Sequence, residues 1–262
     1  VAWDPEHYLR YADHRTRPGL ELLARVPDPD HEVVRVVDLG CGTGHLTARL
    51  AERWPAAEVI GIDQSPEMLA RAQAEHPDIT WIHADIATWE PTNQVDVIFS
   101  NAALHWLDDH PALFCRLRSY LSDGGVLAVQ MPDNWAAPTH QVPATLLDDG
   151  TWDPPARQAL LRDRLSSVDD YRRFLQPATL DSWRTTYHQA LTGDDPVWNW
   201  VTGSVLGPVL AALDDEERAR FRHLAQTHYR QAYPMADDGV TVLPFSRLFL
   251  IARAPGTTHP DA

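Results

Sequence analysis

The sequence predicts an α/β protein built on a doubly wound, mostly parallel sheet, and three observations lead there. Short β-branched runs alternate with longer amphipathic ones between about residues 33 and 131. Repetition of strand and helix leaves the right-handed parallel crossover as the connection that packs helices on both faces. The first apolar run empties into a glycine-rich turn that opens a helix, and polar residues stand at the carboxyl ends of consecutive strands, where such sheets bind ligands.

VVRVVDLG (33–40), EVIGID (58–63), ITWIHAD (79–85), VDVIFSN (95–101) and GVLAVQM (125–131) read as buried strands. Between them HLTARLAERW and PEMLARAQAEH carry apolar residues at helical spacing, with Ser65 as N-cap and Pro66 at the first helical position. ALFCRLRSYLSDGG reads as a helix running to its terminal glycines. After Met131 the pattern changes. PPARQALLRDRL and SVDDYRRFL are short helical patterns, SWRTTYHQAL (182–191) is strand-like, residues 196–233 are helical, and VTVLPFSRLFLIARA (240–254) closes as a strand. The expected organisation is an N-terminal cover and ligand-binding core over 1–131, helical insertions over 132–181 and 192–239 that cap the crevice, returning core strands over 182–191 and 240–254, and a disordered tail over 255–262.

Composition excludes several functions. The net charge is −15 and pI near 5.1, so a phosphate backbone is repelled and nucleic acid is not an expected partner. All 22 basic residues are arginine, which removes Schiff-base chemistry on lysine and leaves guanidinium as the permanent cation. Cys41 and Cys115 are too few for a disulfide framework, and no Cys or His spacing suits zinc, so a reducing cytoplasm and no metal are expected. The opening VAWDPEHYLR is acidic where a signal peptide needs basic residues, and no run approaches the roughly 18 apolar residues of a membrane span.

The chemistry is carried by Asp38-Leu39-Gly40-Cys41-Gly42-Thr43-Gly44. Such glycines let the backbone turn sharply and approach a ligand, with a helix N-terminus behind it. A dinucleotide-binding turn needs glycine at position 45, which is His45, so the pattern is G-x-G-x-G with an acid two residues before it. Asp63, with Gln64 beside it, is placed to accept from both hydroxyls of an adenosine ribose, or simply to cap the next helix. Asp85 can accept from an adenine amine while Ile86 packs on the ring, and Asn101 ends the fourth strand with Ala102 and Ala103 leaving room. Tyr11 and Arg17 precede the first strand and are candidates to cover the bound cofactor.

VVDLGCGTG, GID, HADI and SNAALHW together resemble the seven-stranded S-adenosylmethionine-dependent methyltransferases. YLRYADHRTRPGLELLARVP, MPDNWAAPTH, WRTTYHQ and PFSRLFLIARA extend the resemblance to the trans-aconitate 2-methyltransferase family across nearly the whole chain. The resemblance implies a Rossmann-like methyltransferase fold with an antiparallel seventh strand, S-adenosyl-L-methionine as cofactor, and a monomethyl ester of a small tricarboxylate as product. It also departs from the family at Gly207, where an arginine often precedes the proline. His105 would lie near the donor methyl as a positioning group. Arg184, Arg247, Trp135, Tyr187 and His188 are the expected substrate contacts, with salt bridges to the chain's acids the plain alternative for the two arginines. A methyltransferase for another small acid or a secondary metabolite, and an S-adenosylmethionine-binding protein without catalysis, remain open on the sequence.

Overall fold

In the computed structural model, residues 12–148, 151–152, 154–160, 164–203 and 206–256 are described; the expectations for Tyr11 and for residues 257–262 fall outside them. A seven-stranded sheet runs in the order β3-β2-β1-β4-β5-β7-β6. Its strands are β1 (Arg35–Leu39), β2 (Glu58–Asp63), β3 (Thr80–His83), β4 (Val95–Asn101), β5 (Leu121–Pro132), β6 (Thr179–Leu191) and β7 (Thr241–Arg253). The pairings among β1 to β5 are all parallel, with Asp38 aligned on Phe99 and Asn101 on Gln130.

Helix α1 (Ala12–Arg25) precedes β1; α2 (His45–Arg53), α3 (Pro66–Glu75) and α4 (His110–Ser119) follow β1, β2 and β4. Ser65 caps α3 by accepting from Met68 N at 3.2 Å. Helix α4 ends at Ser119 rather than running on to the glycines, because β5 begins at Leu121 and Gly124 turns within it at φ 74°. After β5 come α5 (Pro138–Leu147), α6 (Pro154–Leu160), α7 (Val168–Phe174), and, beyond β6, α8 (Pro196–Thr202), α9 (Gly207–Ala212) and α10 (Asp215–Ala232).

The chain divides into two compact units. Among the described residues one comprises 13–132, 165–184 and 248–256; the other comprises those within 133–164 and 185–247. The first holds the main apolar core, in which Leu39, Ile98, Phe114, Leu127, Val129 and Met131 pack together. Tyr171 and Leu175 are fully buried in that same core, so the stretch after Leu165 differs from its expected place in the first helical insertion. Its tether is a bond between the Tyr171 hydroxyl and His110 Nδ1, 2.6 Å long. The second unit packs α5, α8 and α10 around Trp200, Phe221 and Tyr229, with α10 started by a capping box between Asp214 and Glu217.

At the amino ends of the strands Asp96 gathers three of them. Its carboxylate accepts from Val34 N and Arg35 N at 2.8 and 2.9 Å, from Ser122 Oγ at 2.6 Å, and pairs with His31 Nε2 at 2.9 Å. Burial would raise its pKa, but these donors outweigh burial and hold it below the usual carboxylate value. Asp96→Ala is expected to cost about 2–4 kcal/mol, read by denaturant unfolding. Because the folded pKa is depressed, the carboxylate's contribution is present above about pH 4 and lost as pH falls through the folded value. Wild type and variant should therefore converge in stability in acid and separate toward neutrality.

Candidate functional site

The turn after β1 is shaped by near-contacts that leave no room for a side chain. Gly40 adopts φ +76°, and a Cβ built on it would lie 2.2 Å from Ala103 Cβ, so the β1 turn and the segment after β4 meet as closely as backbone permits. Ile86 Cδ1 lies 3.6 Å from the same point, which brings the residue after Asp85 to the turn. Trp81 covers the other flank: its indole occupies the space beside both Gly44 and Gly61, and its Nε1 donates to His76 O at 3.1 Å. Above Gly42, at φ +56°, a built Cβ would meet nothing within 4 Å. The middle of the turn thus faces open space while its two ends are locked.

Two carboxylates face this turn. Asp63 Oδ2 accepts from Gly42 N and Oδ1 from Ser65 N, each at 2.9 Å, so the acid at the end of β2 holds the loop in shape and keeps lone pairs on both oxygens for a ligand. The capping role belongs to Ser65 itself. Asp38 is 2% exposed and accepts from Thr47 Oγ1 at 2.6 Å. Burial raises its pKa to about 7, the Thr47 bond opposing and the Asp63 charge reinforcing that rise. The Cys41 thiol, buried between the same acids, is pushed far up and stays protonated. Burial also lowers His45, whose Nε2 meets Thr16 Oγ1 at 3.2 Å, so no imidazolium relieves the negative field. A cation is the ligand charge this turn favours.

The adenine-side candidate sits differently from the expectation. β3 stops at His83, and Asp85 lies two residues beyond it, exposed, in a turn where its Oδ1 accepts from Ala87 N at 2.8 Å. That turn is pinned from α4 by a residue the sequence reading passed over: Arg116 donates to Ile86 O at 2.9 Å and also to Ala87 O. Gln64 is exposed, its carbonyl engaged by His83 Nε2 at 3.0 Å. Asn101 is half-buried, with a Cβ built on Gly19 of α1 only 3.2 Å from its carboxamide carbon. His105 is half-buried in the 3-10 turn Leu104–Trp106, its ring 4.9 Å from that of Trp106. The turn is anchored by His110 Nε2, which donates to Leu104 O at 3.1 Å.

Arg17 is exposed on α1, and Arg184 is exposed on β6 next to Trp183, whose ring stacks on Phe249 at 4.7 Å and under Arg25 at 4.3 Å. The other expected substrate contacts belong to the second unit. There Arg247 is 5% exposed, with its guanidinium carbon 4.6 Å from the Phe245 ring centroid. Trp135 is half-buried, 5.2 Å from the His140 ring. Tyr187 is buried and His188 exposed, so these neighbours face opposite sides of their strand.

Known proteins resemble this chain in sequence and in fold. A methyltransferase-domain family matches residues 36–125. The chain is 44% identical over 255 residues to "Trans-aconitate 2-methyltransferase" of Escherichia coli O17:K52:H18 (strain UMN026), covering 96% of this chain and 98% of the relative. Identity and coverage are the same for the protein of that description from Escherichia fergusonii. Among solved structures, an S-adenosylmethionine dependent methyltransferase from Mesorhizobium loti superposes with a TM-score of 0.50 at 23% identity, over 89% of this chain and 96% of that one.

The Gly40 approach makes a direct prediction. Gly40→Ala should destabilise the protein by about 2–4 kcal/mol in thermal or denaturant unfolding, from the methyl clash together with the positive φ. Adding Ala103→Gly should recover the clash portion only, leaving the double variant between the single variant and wild type.

Proposed function

The chain belongs to the trans-aconitate 2-methyltransferase family of S-adenosylmethionine-dependent methyltransferases, and on that premise we propose that it esterifies one carboxylate of a small tricarboxylic acid, trans-aconitate. S-Adenosyl-L-methionine, when bound, supplies an electrophilic methyl on a sulfonium. The residues present fit that group. Open space stands over Gly42, two carboxylates flank the turn, and Asn101 Oδ1 is buried without a hydrogen-bond partner among the described residues. The observation that carries the reading is the anionic turn, with open space over Gly42 and bordered by Asp63 and by buried Asp38.

In this reading Asp63 accepts from the ribose hydroxyls while continuing to hold Gly42. Asp85 and Ile86 take the adenine, in a turn kept in place by Arg116. Asp38 supplies the countercharge to the donor's cationic end. The acceptor is already ionised near neutrality, since carboxylic acids titrate well below pH 7, so no residue has to remove a proton. His105 is a positioning group rather than a base. Rate acceleration comes from excluding water and aligning an anion with the methyl, because attack of a carboxylate on a sulfonium turns both reacting groups neutral. Spare carboxylates of the acceptor need local cations in a chain of net charge −15, and without lysine only arginine can provide them. Arg247, in a buried setting, is the leading candidate, with Arg184 and Arg17 as further ones.

The test is labelled-methyl transfer to a panel of small carboxylic acids, with products identified by mass spectrometry. The expected product is a trans-aconitate monoester, the cis isomer being the poorer acceptor. Turnover of a different acid and none of either isomer would move the acceptor elsewhere within the methyltransferases. Arg247→Ala should raise the acceptor KM roughly ten- to a hundredfold, for loss of about 1.5–3 kcal/mol, with donor affinity unchanged and only partial rescue by Arg247→Lys. A lowered melting temperature with intact acceptor kinetics would make Arg247 a structural ion-pair partner.

Donor binding should depend on pH through Asp38. Its raised pKa means that the carboxylate ionises near neutrality, and a cation beside it favours the ionised form. Donor affinity should therefore strengthen about tenfold from pH 6 to pH 8, and Asp38→Asn should flatten the slope. At saturating donor and acceptor the turnover number should stay level across that range, since no base titrates.

A further inference from the structure

The apolar run that forms β5 contains one residue that strand periodicity alone passes over. Gln130 is fully buried, and neither its Oε1 nor its Nε2 has a hydrogen-bond partner among the described residues. Leu127, Val129 and Met131 of the same strand point into the main core with Phe114, so Gln130, alternating with them, points to the opposite face. Aligned with it on β4 is Asn101, whose Oδ1 is also buried and without a partner among the described residues. The two side chains therefore share one face at the carboxyl ends of adjacent strands. The backbones are tied at this point, Ala102 N donating to Gln130 O at 2.9 Å. A buried carboxamide with both polar atoms unsatisfied is costly, and an apolar side chain of equal length would avoid that cost. The cost is offset when a ligand engages the amide.

We propose that Gln130 is a catalytic residue that holds the reacting carboxylate of the acceptor through its Nε2–H, an assignment that rests on the carboxyl-methylating function proposed above. Strand order decides between the donor and acceptor sides. The glycine turn, Asp63 and Asp85 follow β1, β2 and β3, whereas β5 lies on the far side of β4, one strand spacing of about 4.8 Å further out. Asn101, Ala102 and Ala103, at the end of the adjacent strand β4 and just past it, are all part-exposed. The chemistry also favours an amide at this position. Attack forms a bond from carboxylate oxygen to the methyl carbon as the methyl–sulfur bond breaks; its electron pair goes to sulfur, leaving a neutral ester and a neutral thioether, and no proton moves. A guanidinium on the reacting oxygens would stabilise the anion more than the transition state, in which that charge is disappearing. A neutral N–H orients the carboxylate with much less of that penalty.

The test uses the full chain with Gln130→Met, which keeps length and removes hydrogen bonding, and Gln130→Glu, which keeps shape and places an anion against the acceptor. Acceptor kinetics, donor Kd by calorimetry and melting temperature are measured for each. Gln130→Met is expected to lower acceptor kcat/KM ten- to a hundredfold, leave donor Kd within twofold, and leave the melting temperature equal or higher. Gln130→Glu should lose more at pH 8 and regain activity as pH falls and the new carboxyl takes up a proton, a profile wild type lacks. Unchanged acceptor kinetics in both variants, with a lowered melting temperature, would overturn the assignment in favour of a structural amide satisfied by water. Weakened donor binding with unchanged acceptor KM would overturn it in favour of the donor side. A wild type that methylates no carboxylic acid would instead overturn the function on which the assignment rests.

Discussion

The near-contact between Gly40 and Ala103 is the constraint on which the site depends. With 2.2 Å between a hypothetical Cβ and the Ala103 methyl, the turn after β1 can lie only where the segment after β4 leaves it space. That approach brings the glycine turn, Ile86 and the end of β4 within reach of one small molecule. Asp63 completes the lock by accepting from Gly42 N and Ser65 N, so the acid at the end of β2 shapes the glycine loop. Trp81 braces Gly44 and Gly61 from the other side. Pre-organisation of this kind removes the loop-ordering cost that binding would otherwise carry.

The two ends of the sheet divide their work. At the amino ends Asp96 is surrounded by donors, which depress its pKa and make it a fastener. At the carboxyl ends Asp38 is buried with one hydroxyl donor and a like charge nearby, which raises its pKa to about 7 and makes it responsive to a ligand's charge. The same residue type thus performs opposite tasks according to how many donors surround it. The anionic field that suits a sulfonium is unfavourable for a polyanionic acceptor, so an acceptor of that charge needs arginine close by.

Much of this was legible in the sequence. The alternation of β-branched and amphipathic runs foretold the parallel sheet, and the glycine spacing with His45 at the discriminating position separated this turn from a dinucleotide site. Asp63 was legible as the acid that closes a strand, and there it holds Gly42 N. Other features depend on tertiary contacts that carry no local periodicity. Arg116 reads as an ordinary polar helix position, and only the fold sets it beneath Ile86 and Ala87. The stretch around Tyr171 reads as an amphipathic insertion, and its bond with His110 is what ties it to the core. β5 begins earlier than apolarity suggests because Leu121 already aligns with Val95 of β4, and Ser122-Asp123-Gly124 lie in an irregularity before the register resumes at Val126. Gln130 is hidden for the opposite reason: one polar residue in GVLAVQM leaves a buried-strand pattern intact, and its significance emerges only from its burial and the lack of a partner for its amide among the described residues.

A crystal structure of the chain with S-adenosylhomocysteine and the unreacted tricarboxylate tests the central claim most directly. The account predicts both ribose hydroxyls on the Asp63 carboxylate, the thioether sulfur toward Asn101, and one acceptor carboxylate oxygen within about 3 Å of Gln130 Nε2. A nucleoside bound away from the turn between Gly40 and Gly44, or an acceptor whose reacting carboxylate is gripped by a guanidinium with Gln130 untouched, would contradict it.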